Sequence, residues 1–133
     1  MASTDKLTRT SLRSGLGRVR GLGSAKEGVN HWWAQRVTAI ALVPLTLWFV
    51  ASVILLAGAD HATVSAWIAR PVNTVLLLAL LVSTFWHAAL GLQVVIEDYI
   101  HSEGAKLVVL LGVKALLALV GLAGVVAVLR VAL

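Results

Sequence analysis

The residue in this sequence most able to do chemistry is His87, the single ionisable side chain in an apolar run from Pro71 to Ile96. An ionisable group within an apolar span is expensive and faces a partner, a cavity or a cofactor. Two readings follow: hydrogen bonding to a neighbouring helix, or axial ligation of haem iron, for which a neutral imidazole in a dry pocket is suited. Gly91, one turn later on the same helical face, would let a flat macrocycle approach the backbone. The chain offers one deeply placed histidine, so a six-coordinate haem would draw its second ligand from a partner. Asp98 follows His87 by eleven residues, close to three helical turns, and so lies on nearly the same face about 16 Å along the axis. Asp98 and Tyr99 together could supply protons and a hydrogen bond to a ligand entering from lipid. They are equally ordinary residues for a helix end at a membrane interface. Arg36, which follows His31-Trp32-Trp33, reads either as a positive flank or as the partner of an anion such as a haem propionate. His31, His61 and His101 share no metal-ligand spacing and read as surface residues, with His101 near enough to Asp98 and Tyr99 to relay protons. No nucleotide-binding fingerprint, phosphate loop or catalytic triad spacing is present.

These residues must be positioned by helices in a bilayer. Of 133 residues, 59% are hydrophobic and 13% charged, against roughly 45–50% and 25% in soluble domains. A small domain in water cannot hide so large an apolar fraction. Three spans account for it: Val37 to Ala59, Pro71 to Ile96, and Leu107 to Leu129, the last interrupted by Lys114 alone. With their flanks they cover about 36–59, 70–98 and 106–130. Each is long enough to cross a hydrocarbon core of about 30 Å. Asn30 is a candidate N-cap for the helix leading into the first span, Pro44 sits inside it, and Gly58 marks its far end. Pro71 suits the first position of the second helix. The connection over 60–70 reads as a loop. Short connections make neighbours antiparallel, giving an all-α membrane protein with three transmembrane helices in an up-down-up bundle.

The chain carries 11 Lys+Arg and 6 Asp+Glu, net +5, and no cysteine. Seven of the basic residues precede position 37, which makes the charge a topology signal rather than a nucleic-acid surface and places the N-terminus on the cytoplasmic side. Lys114 can snorkel towards the nearer surface. Residues 1–30 read as a flexible basic N-terminal arm without the apolar core of a secretory signal. Their Arg- and Ser-rich, acid-poor composition also matches an organelle transit segment. Residues 31–133 form the three-helix transmembrane domain.

Two stretches, His31-Trp32-Trp33-Ala34-Gln35-Arg36-Val37-Thr38-Ala39 and His87-Ala88-Ala89-Leu90-Gly91-Leu92-Gln93-Val94-Val95-Ile96-Glu97-Asp98-Tyr99, resemble the small hydrophobic membrane anchor subunits of succinate dehydrogenase (respiratory complex II). The resemblance runs from about Asn30 to the C-terminus and includes the order and spacing of all three spans. It implies a haem b shared with a second hydrophobic anchor subunit (cytochrome b), each subunit giving one histidine, with His87 at that position. It further implies that Tyr99 hydrogen-bonds a quinone carbonyl, with Asp98 beside it, and that Arg36 lies near the haem propionates and the quinone pocket. The partners implied are the second anchor, an iron–sulfur subunit, a flavoprotein subunit and the lipid bilayer. The substrate implied is ubiquinone. The basic arm is longer than in the shortest relatives, and haem content varies among such proteins.

On this resemblance the chain is not an enzyme alone but a subunit of a succinate:quinone oxidoreductase in a bacterial inner membrane, with the mitochondrial inner membrane as the alternative. Two other functions stand beside it: a cofactor-free structural membrane-interaction protein in which His87 and Gly91 only pack helices, and the anchor of a fumarate reductase.

Overall fold

The computed structural model of the protein describes residues 25–133. The first 24 residues of the expected basic arm lie outside the described residues. The chain divides into two units, Met1–Trp32 and Trp33–Leu133. In the first, residues 25–32 are helical. All described regular structure is helical, in four elements: α1 Ala25–Leu55, α2 His61–Ile68, α3 Pro71–Tyr99 and α4 Glu103–Ala132.

Three of these are long and apolar enough to span a membrane, over Gly28–Leu55, Pro71–Tyr99 and Glu103–Ala132, with mean hydropathies of 2.3, 2.1 and 2.5. At 1.5 Å per residue, helices of this length reach about 42–45 Å, beyond a hydrocarbon core of about 30 Å, so their ends extend into the headgroup layers. Among the described residues, Leu77 and Ile96 are the buried hydrophobic residues and Ser52 the buried polar one, while large apolar side chains such as Ile40, Leu47 and Leu119 stand about two-thirds or more exposed. In water such a surface would be untenable; in lipid it is the surface the solvent requires. The protein is a multi-pass membrane protein with an up-down-up arrangement of its three long helices.

The first helix begins earlier than the sequence suggested. Asn30 does not cap it, because α1 is already running at Ala25. Ala25, Lys26 and Glu27 are good helix formers and carry the helix more than a turn upstream of Asn30. Pro44 is accommodated within the one helix. At the other end α1 stops at Leu55 and the chain turns through Gly58, whose φ of 83° lies in the left-handed region that glycine enters without a Cβ clash.

The segment 60–70 is not the loop expected of it. It holds the eight-residue helix α2, started by Asp60, whose Oδ1 accepts from the Thr63 backbone N–H at 2.9 Å. Hydrogen bonding from the Thr63 side chain, and then from its backbone N–H, holds the Asp60 carboxyl below its ordinary value. Trp67 of α2 stacks on Trp48 of α1, ring centroids 5.5 Å apart and planes 20° apart. Its carbonyl accepts from Asn73 Nδ2 at 2.7 Å, and the Ile68 carbonyl accepts from Thr74 Oγ1 at 2.7 Å. Side chains of the incoming α3 thus satisfy carbonyls that the end of a short helix leaves open.

Glycine brings α3 and α4 together. A Cβ built on Gly121 would lie 3.1–3.4 Å from Phe85 Cγ, Cδ2 and Cβ, and one on Gly124 would lie 3.2 Å from Leu81 Cδ2. The pairings 85–121 and 81–124 run antiparallel, and small residues at a helix crossing are how membrane helices approach without a hydrophobic drive between them.

Candidate functional site

Two polar residues of α1 meet His87 of α3. Thr38 Oγ1 lies 2.9 Å from His87 Nδ1, and Gln35 Nε2 lies 3.5 Å from His87 Nε2. Gly91 sits beside them: a Cβ there would be 3.8 Å from Gln35 Nε2. Thr38 against His87 and Gln35 against Gly91 again define antiparallel neighbours. Gln35 and Thr38 share a face because residues three apart do so on a helix, as do His87 and Gly91.

The proton positions follow from counting donors. A threonine hydroxyl has one hydrogen. Thr38 Oγ1 lies 2.7 Å from the Ala34 carbonyl and 3.1 Å from the Gln35 carbonyl, neither of which can donate. The hydroxyl hydrogen therefore points at its own helix backbone, the usual habit of a threonine within a helix. What Thr38 offers His87 is a lone pair, so Nδ1 carries the imidazole proton and donates. In the neutral ring Nε2 is then an acceptor with a free lone pair. The Gln35 amide presents its N–H₂ side to that lone pair at the outer limit of a hydrogen bond. The Gln35 Oε1 on the other side of the amide is buried without a partner among the described residues.

This geometry suits a metal-binding imidazole. Ligation by histidine takes a neutral ring with one nitrogen available and the other donating to an acceptor, and Thr38 Oγ1 is such an acceptor beside Nδ1. Gln35 covers Nε2 through one contact at the limit of hydrogen bonding and keeps a carbonyl unsatisfied, so swinging it aside gives up little. No group of three or more His, Asp or Glu side chains that could hold a metal ion occurs among the described residues. A metal at Nε2 would take this chain's single ligand and complete its coordination elsewhere.

The other expected residues do not converge on His87. Arg36 is exposed and, lying between Gln35 and Thr38, sits at the same depth as His87. Asp98 and Tyr99 close α3 about 16–18 Å further along its axis. Tyr99 is 80% exposed, and Asp98 is exposed too. They form a second locus, at the end of α3 where Glu97 accepts from Gln93 Nε2 at 2.8 Å and Lys106 pairs with Glu103 at 3.1 Å. His61 and His101 are exposed as expected. His31 is not a plain surface residue: it is half-buried, and its Nε2 is buried without a partner among the described residues.

Thr38 and Gln35 are the site residues that sequence reasoning left without a role. The signal for them was present, since two polar side chains one turn apart in an apolar span must find partners. A separate apolar groove of about 380 Å³ lies between α3 and α4, lined among others by Phe85, Trp86, Lys114 and Gly121. It does not include His87, which faces α1.

Three spanning helices with most of their apolar surface turned outward define a helical multi-pass membrane protein. Residues 10–121 match the family model described as succinate dehydrogenase/fumarate reductase transmembrane subunit. Similar curated proteins include the succinate dehydrogenase hydrophobic membrane anchor subunit of Rickettsia bellii (strain RML369-C), 36% identical over 102 residues that cover 77% of this chain and 82% of that one. That of Rickettsia conorii (strain ATCC VR-613 / Malish 7) is 39% identical over 84 residues, covering 62% and 67%. That of Paracoccus denitrificans is 31% identical over 95 residues, covering 71% and 74%. No solved structure gives a significant match. The chain belongs to the succinate dehydrogenase/fumarate reductase transmembrane subunit family, and as such it is a non-catalytic membrane subunit of an enzyme complex.

Proposed function

We propose that this chain is the membrane anchor of a succinate dehydrogenase in a bacterial inner membrane, with its N-terminus cytoplasmic. On this reading it supplies one axial histidine to a haem b and part of a ubiquinone site. The observation that carries the haem reading is the placement of His87: mid-span, with Nδ1 2.9 Å from Thr38 Oγ1, whose hydroxyl bonds the Ala34 carbonyl, and Nε2 3.5 Å from the Gln35 amide. Bound there, a haem supplies one-electron redox chemistry. The residues of this chain that would hold and orient it are His87 as ligand and Arg36, at the same depth, as a charge partner for propionates, with Gln35 beside Gly91 moving aside from Nε2. The second ligand comes from a second hydrophobic anchor subunit. An iron–sulfur subunit and a flavoprotein subunit complete the complex and oxidise succinate.

The quinone reading rests on Tyr99 and Asp98. Both are exposed at the end of α3, where a phenol can donate a hydrogen bond to a quinone carbonyl and a carboxyl can pass a proton to the reduced oxygen. Basic residues concentrated before position 37 support the orientation.

The decisive experiment is a reduced-minus-oxidised absorption spectrum of the complex co-expressed with its partner subunits, with and without His87→Ala. A b-type spectrum lost in the variant supports ligation; an unchanged b-type spectrum refutes it. For the quinone site, Tyr99→Phe is expected to lower quinone reduction while succinate oxidation by an artificial acceptor stays intact. Equal loss of both, or of neither, counts against it. A cofactor-free role remains as a second reading, favoured by the Gln35 amide standing over Nε2. It predicts a complex without haem absorption that still reduces quinone.

A further inference from the structure

The contact between α1 and α3 assigns a role to a residue that does not touch a ligand. We propose that Thr38 is a positioning residue for His87: it fixes the imidazole tautomer and ring plane, so that Nε2 is the nitrogen presented for ligation. The inference rests on the reading of His87 as a haem ligand.

Thr38 Oγ1 commits its only hydrogen to the Ala34 carbonyl at 2.7 Å, with the Gln35 carbonyl at 3.1 Å. It can face Nδ1, 2.9 Å away, solely as an acceptor. A free imidazole interconverts its two tautomers with little preference, and either nitrogen can bind a metal. Here the choice is made by a β-branched side chain with restricted χ1 on a helix, whose own hydroxyl is pinned to that helix's backbone. Donation from Nδ1 also enriches the ring, which strengthens it as a donor to iron and favours the ferric state. The same contact holds the ring plane with respect to α1, so two helices together determine how His87 would present itself to a flat ligand.

The test uses the complex co-expressed with its partner subunits, comparing wild type, Thr38→Val, Thr38→Ser and His87→Ala. The readouts are haem content per flavin and the haem midpoint potential from a redox titration. Thr38→Val keeps the shape of the side chain and removes the acceptor. Its expected effect is a positive shift of the midpoint potential, or a loss of haem content where the ring is no longer held. Thr38→Ser keeps the acceptor and is expected to retain wild-type potential and content. Full haem content with an unshifted potential in Thr38→Val overturns the inference while leaving His87 as the ligand. Equal perturbation by Ser and Val also overturns it, since the hydroxyl would then not be what matters. A b-type spectrum that survives His87→Ala, or a wild-type complex without haem, removes the underlying reading and this inference with it.

Discussion

The crossing of α3 and α4 offers a quantitative test of how the helix bearing His87 is held. Adding one methyl group as Gly121→Ala would place a carbon 3.1 Å from Phe85 Cγ, 3.2 Å from Cδ2 and 3.4 Å from Cβ. Optimal carbon–carbon separation is about 3.5–4.0 Å, so the methyl group overlaps three atoms by several tenths of an ångström. Phe85 Cβ and Cγ lie close to the α3 backbone and cannot swing away without moving the helix or leaving the rotamer. Overpacking of this kind costs about 1–3 kcal/mol. Gly124→Ala meets the terminal carbons of Leu81 at 3.2 and 3.4 Å. Those ends can rotate, so its cost should be clearly smaller. The assay is the thermal or denaturant unfolding of the detergent-solubilised complex for both single variants, with a cycle that adds Phe85→Ala. Removing the ring makes room for the new methyl group, so the double variant should be less destabilised than the sum of its singles. A neutral Gly121→Ala, or strict additivity with Phe85→Ala, would refute the claim that this contact sets the helix spacing.

Two further outcomes concern the α1–α3 connection. Trp67→Leu removes the stack on Trp48 and is expected to cost about 0.5–1.5 kcal/mol beyond lost burial, seen as faster proteolysis within residues 60–70. Asp60→Ala should lower stability near neutral pH, and the gap to wild type should close on acidification. Because the folded-state carboxyl is held low by Thr63, its contribution is present above the unfolded value and lost as pH falls through the lowered folded value. A gap that widens with acid would contradict that sign.

What the sequence made legible was what depends on sums over many residues. Three spans could be read because hydropathy over twenty residues overwhelms any single exception, including Lys114 and Pro44. Boundaries and short elements depend on single contacts and were harder. The helix α2 is only eight residues, too short to announce itself by periodicity. Its clearest marker, Asp60 as a cap, is a single residue in a short connection that reads as a loop. The early start of α1 was hidden because Ala25-Lys26-Glu27 sits in a polar context that resembles the arm before it. His87 stood out as a lone imidazole, but its tautomer depends on Thr38, forty-nine residues away in sequence, and no local pattern reports such a pairing. Gly121 and Gly124 were invisible for a related reason. Glycine is common in spanning helices, and which glycines matter is decided by the side chains across the crossing.

The placement of the functional groups explains why such a subunit would act only in company. His87 spends one ring nitrogen inside the chain, on Thr38, and leaves the other uncommitted but for the weak approach of Gln35. Tyr99 is 80% exposed and Asp98 is exposed, and few of the described residues are buried among the helices. A protein that completed its own site would bury these groups and satisfy them internally, as buried polar atoms demand. At His87 this chain instead bonds the nitrogen that orients the ring and leaves the other to the weak approach of Gln35. On the proposed reading, a haem at His87 is completed by the second anchor subunit and a quinone at Tyr99 is held against a second surface, whichever direction electrons flow through the assembled complex.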